Sequence, residues 1–174
     1  MVKTPPADAV LDHLLSGGRA DASLRSLAAG SGVSHSLLLY HFGSRDGLLL
    51  AVHQACEQRQ RDHLAALRLT GTDPVATMRA MWRHLADPAM WPLYRLGFTL
   101  GSLRTAKPAD EDRDLWLAAL TPLVRAVGGP EESAAAEAQL WLATSRGLLW
   151  ELVTGADPAV VTAAAMRFFA HYDP

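Results

Sequence analysis

Ser34, His35 and Ser36 stand in succession at the head of the run Ser34-His35-Ser36-Leu37-Leu38-Leu39-Tyr40-His41-Phe42. Two hydroxyls and an imidazole within one helical turn are suited to hydrogen-bonding a polar partner. Covalent chemistry asks for more. No nucleophile, base and orienting group occur together at an interpretable spacing, and no glycine-rich loop is present that would cradle a phosphate. No catalytic residue is assigned, and the chain is not expected to be an enzyme. His53, Cys56 and Glu57 share a helical face, with His63 further along, but their spacing matches no closed zinc site. No metal and no cofactor are expected. The acidic runs Asp110-Glu111-Asp112 and Glu131-Glu132 are read as favourable charges at helix N-termini.

A segment of about two helical turns does not hold itself together, so its neighbours must fix it. Upstream, Ser23 can cap a helix whose apolar positions Leu24, Leu27 and Ala28 follow at i, i+3, i+4 spacing. The small-residue turn Ala29-Gly30-Ser31-Gly32-Val33 follows, and Ser34 caps the next helix. Two short helices joined by a tight glycine-containing turn form a helix-turn-helix. The geometry of that motif lays the second helix in a DNA major groove with its first residues on base edges, which makes Ser34, His35 and Ser36 the expected base readers. Leu38 and Phe42, four apart, share a face that packs on Leu24, Leu27 and Val33, while Leu37 and Tyr40 project differently.

Taken in order, Ser23-Leu24-Arg25-Ser26-Leu27-Ala28, Gly32-Val33-Ser34, Leu38, Tyr40-His41-Phe42-Gly43-Ser44-Arg45 and Leu48 resemble the DNA-binding signature of tetracycline-repressor-type (TetR family) transcription regulators. The resemblance implies that Ser23 and Arg25 lie near phosphate or groove, that Ser34, His35 and Ser36 face base edges, and that Tyr40, His41 and Arg45 hold the DNA backbone. Hydroxyls and imidazoles donate to phosphate oxygens, and a guanidinium grips phosphate with two donors. The family's usual tyrosine falls at Leu39, with Tyr40 adjacent. The resemblance further implies a homodimer on a palindromic double-stranded DNA operator. Its larger helical domain would hold a small-molecule effector that changes the spacing of the two heads, most often as a repressor.

The rest of the chain is read from its punctuation. Asp-Pro recurs at 73–74, 87–88 and 157–158, each time before an apolar helical pattern, and each pair reads as a helix start. Breaks also fall at Lys107-Pro108 and Gly128-Gly129-Pro130. Helices are expected near 6–16, 24–30, 34–41, 45–69, 74–86, 88–105, 110–127, 131–154 and 158–171, with no period-two alternation. The fold class is all-α: a three-helix helix-turn-helix head over 1–48, then a larger helical ligand-binding and dimerisation domain over 49–174. All five tryptophans lie in the second half. Met78, Trp82, Trp91, Tyr94, Phe98 and Trp116 are expected to line a ligand site there, with Arg95 as an anchor for an acidic or polar ligand. Near 131–154, Leu140, Trp141, Leu148, Leu149 and Trp150 give a helix that is apolar on more than one side, and the last helix presents Val160, Val161, Ala164, Ala165 and Phe168. By resemblance, these two helices build a four-helix bundle with their copies from a second chain.

Composition bounds the alternatives. The chain has 174 residues and 49% hydrophobic content, ample for a core, with Cys56 as its single cysteine and a net charge of −2. Over residues 1–50, Lys3, Arg19, Arg25 and Arg45 balance Asp8, Asp12, Asp21 and Asp46. No run approaches a membrane span, and the start shows no apolar leader, so a cytoplasmic protein is expected. Two readings follow: a ligand-responsive, DNA-binding regulator, or a helical ligand-binding or interaction dimer whose helix-turn-helix has weak or lost DNA affinity. Leu39 and the neutral head motivate the second.

Overall fold

The computed structural model describes residues 5–66, 73–103, 111–127 and 133–172. Nine α-helices and no strand occur among them: α1 Pro6–Leu15, α2 Leu24–Ser31, α3 His35–Phe42, α4 Arg45–Ala66, α5 Pro74–Leu85, α6 Trp91–Leu103, α7 Glu111–Ala126, α8 Ala134–Thr154 and α9 Pro158–Phe169. Expected helical positions 67–69, 104–105, 110 and 131–132, and the expected breaks at 107–108 and 128–130, lie outside the described residues. So do the charges of Lys3 and the runs 110–112 and 131–132, beyond the backbone of α7.

Each Asp-Pro pair starts a helix for the expected reason. Asp73 accepts from the backbone N–H groups of Val75 and Ala76 at 2.9 and 3.1 Å, and Asp157 accepts from Ala159 at 2.8 Å. A cap of this kind is worth about 1 kcal/mol. Asp87 does the same for Ala89 at 2.9 Å, but there the chain first makes a single 3-10 turn, Pro88–Met90, before α6 begins at Trp91. The expected helix from 88 is therefore corrected to a tighter first turn.

The described chain divides into two compact units, residues up to 62 with 95–103, and 63–94 with 111–172. In the first, α1 packs on α2 and α2 on α3. Val10, Leu11 and Leu14 of α1, Leu27 and Ala28 of α2, Leu38 of α3 and Leu48, Leu49 and Val52 of α4 are buried together. Full burial of each leucine contributes about 2 kcal/mol. Leu38 is the expected anchor of α3; Phe42, Leu24 and Val33 are only half-buried.

In the second unit α5 packs on α7 and α9, α7 on α8, and α8 on α9. The buried face of α9 is Val161, Ala165 and Phe169, whereas Val160 and Ala164 are exposed and Phe168 is half-buried. The expected set Val160, Val161, Ala164, Ala165 and Phe168 thus divides between two faces, because neighbouring residues are about 100° apart around a helix. α8 behaves alike. Trp141, Leu142, Leu149 and Val153 are buried, while Leu140 and Trp150 are each 50% exposed.

Candidate nucleic-acid interface

The helix-turn-helix is set by its caps. Ser23 Oγ accepts from the Ser26 N–H at 3.2 Å and Ser34 Oγ accepts from the Leu37 N–H at 3.2 Å, so both helices begin where the serines dictate. Between them Gly32 takes φ +69°, a left-handed backbone that a side chain would strain, and the Val33 N–H closes the end of α2 by donating to the Ala28 carbonyl at 3.1 Å. Gly30 serves a different need. A methyl group there would overlap the His13 imidazole, which lies against the helix at that point.

Arg45 completes the frame. Its Nε donates to the Ala22 carbonyl at 2.9 Å and its Nη2 to the Ala20 carbonyl at 2.8 Å, tying the start of α4 to the loop that leads into Ser23. Two of the guanidinium's five N–H donors are thereby engaged by the protein's own backbone. The sequence reading, which directs this side chain to phosphate, did not anticipate that role; nothing local in the sequence marks carbonyls more than twenty residues away.

The remaining predicted residues are presented outward. Tyr40 is 84% exposed and its ring meets His41 edge-on, with centroids 5.2 Å apart. Ser23, Arg25, Ser34, Ser36 and His41 are exposed and His35 is half-buried. Leu39, at the family's tyrosine position, is 46% exposed. The capping hydroxyl of Ser34 uses a lone pair in doing so and keeps its O–H as a donor, while Ser23 Oγ also shares a hydrogen bond with Ser26 Oγ at 3.0 Å.

Charge in this unit is arranged by pairs. Arg19 and Asp21 make a two-point ion pair, at 2.9 and 2.7 Å, and the Arg19 hydrogen bond holds the Asp21 carboxyl below its ordinary range. Asp12 of α1 receives Arg59 of α4 at 2.7 Å, with Asp8 at 3.9 Å from the same guanidinium. The balance counted over residues 1–50 omits Arg59, which belongs to this unit and answers the acids of α1. Arg25 is exposed and makes no ion pair among the described residues.

Residues 13–52 match the family model described as bacterial regulatory proteins, tetR family. Over that segment the head is similar to the DNA-binding part of the TetR family. The fold extends the match beyond the head. A transcriptional regulator from Rhodococcus sp. superimposes with a TM-score of 0.76 at 21% identity, over 96% of this chain and 93% of that one. A TetR-family transcriptional regulator from Pectobacterium atrosepticum gives 0.75 at 19% identity, over 95% and 89%. A TetR transcription regulator from Haloarcula marismortui gives 0.71 at 17%, over 96% and 95%. No curated protein sequence matches.

The expected ligand residues fall in both units. Met78 and Trp82 are fully buried, Tyr94 and Trp116 buried, and Trp91 half-buried, all in the second; Phe98, half-buried, and Arg95, exposed, belong to the first. Trp91 Nε1 donates to the Ala86 carbonyl at 3.2 Å. Two further aromatic residues join Trp82 there: Phe169, with ring centroids 6.5 Å apart, and beyond it Trp141, whose centroid is 5.8 Å from that of Phe169. The sequence places Trp141 on the expected dimer helix, and its pattern for α9 points to Phe168 rather than Phe169. No helix among the described residues is long and apolar enough to cross a membrane.

Proposed function

We propose that the chain is a homodimeric repressor whose heads, residues 1–48, read successive major grooves of a palindromic operator, and whose domain 49–174 holds a small-molecule effector. The observation that carries the reading is the outward set on α2 and α3: Ser34, His35 and Ser36 at the start of α3 on base edges, and Ser23, Arg25, Tyr40 and His41 on phosphate. Arg45 has three N–H donors beyond its two internal bonds for a phosphate of its own. The pairing of Arg59 with the acids of α1 supports DNA affinity despite the neutral count. Exposed Leu140 and Trp150 on α8 and Val160 on α9 support the dimer face. The effector acts by binding better to a conformation whose heads no longer match the operator, with α4 carrying the change. A cytoplasmic protein without catalytic activity fits this role.

The test is affinity for a palindromic duplex at several salt concentrations. Log affinity is expected to fall linearly with log salt, and Arg25→Ala to reduce that slope by about one without changing sequence preference. Absence of both sequence preference and salt dependence would favour a dimer that has lost DNA binding.

A further inference from the structure

Phe169 lies against two tryptophans, Trp82 of α5 and Trp141 of α8, whose ring centroids are 6.5 and 5.8 Å from its own. Phe169 thus stands beside both indoles in one core. Trp82 Nε1 and Trp141 Nε1 are buried and have no acceptor among the described residues. A buried indole N–H ordinarily finds a partner. Trp91 in the same unit does so, donating to the Ala86 carbonyl. Apart from Thr77, whose hydroxyl donates to the Asp73 carbonyl, Ser145 and the Tyr94 phenol, the buried side chains among the described residues of this unit are apolar. A carboxylate entering there would be desolvated, and an ammonium has no lone pair with which to accept from an indole N–H.

We propose that the core around Phe169 binds an uncharged, largely apolar small molecule whose carbonyl, ester or ether oxygens accept from Trp82 Nε1 and Trp141 Nε1. This names the chemical class of the effector and so rests on the ligand-responsive reading above. It also moves the polar anchor from the exposed Arg95 to two indoles.

Nitrogen-15 NMR of the full chain tests it, because the five tryptophans each give one indole N–H signal and Trp82→Phe and Trp141→Phe assign the two in question. In the free protein these two signals are expected upfield of Trp91, the hydrogen-bonded reference. Millimolar 1-indanone or 4-chromanone moves both downfield; indane, with the same shape and no acceptor, leaves them upfield, and benzoate does not bind. Each Trp→Phe substitution weakens 1-indanone binding by about tenfold. Unmoved signals with both ketones, equal effects of indane and 1-indanone, or a resident water on the indoles that neither ketone displaces would each overturn the proposal. If the signals respond but no uncharged acceptor compound releases operator, the site stands and the regulatory reading fails. If a compound releases operator without moving either signal, the regulatory reading stands and this inference fails.

Discussion

In the head, leucines turn inward and donors outward: Leu38 is fully buried, and Tyr40, two positions on, is 84% exposed. The second unit inverts this, with the Trp82 and Trp141 N–H groups inside and Leu140, Trp150 and Val160 outside. The physical reason is the size and polarity of what each meets. A duplex cannot be enclosed, so the groups that bind it must stand on short capped helices in water. A small molecule can be surrounded, so donors proposed for one can lie in a core. An apolar outer surface is stabilised only by another protein surface.

The largest expected effect breaks the first half of that contrast. Leu38→Ala removes the anchor of α3 and should cost about 2–5 kcal/mol, abolishing operator binding in an anisotropy assay. Heat or urea unfolding followed by tryptophan fluorescence should leave the second unit nearly unchanged, because all five tryptophans lie beyond the head. Joint loss would show that the two regions are one cooperative structure. Next, Trp150→Glu places a charge on the outer face of α8 and should weaken dimerisation at least ~30-fold, read by sedimentation, with the head's helicity intact. Arg45→Lys keeps the charge but not the two-point grip on Ala20 and Ala22, and a loss of about 1 kcal/mol is expected in urea unfolding of the head.

The smallest effect is one of pH. Burial, then the neighbouring charge of His63, holds the His84 imidazole below its ordinary value of 6.5, against an opposing pull from Asp87. The unfolded chain binds that proton more readily. Stability from this group is therefore full above about pH 6.5 and falls as the pH drops through the lowered folded value. His84→Gln should flatten the fall, measured as the melting temperature at successive pH values; an unchanged slope would place its origin elsewhere.

Much of the fold was legible because its signals are local. Asp73, Asp87 and Asp157 cap with their own side chains, and Ser23 and Ser34 define the helix-turn-helix within three residues of themselves. What was missed depends on separation. Arg45 reaches carbonyls of residues 20 and 22, Arg59 reaches Asp12, and Phe169 rather than Phe168 meets Trp82. The last of these turns on a rotation of about 100° per residue, which an apolar pair such as Phe168-Phe169 leaves undecided. The expected ligand residues were least legible, since Met78 and Trp82 look alike in sequence whether they fill a core or line a site.

The central claim is that the outward donors of α2 and α3 read a specific DNA sequence, and selection of bound duplexes from a random pool by the full chain tests it most directly. The account predicts enrichment of one two-fold symmetric sequence, lost when Ser34, His35 and Ser36 are replaced by alanine together. Recovery of the input pool without enrichment, by a chain shown to be folded and dimeric, would contradict it.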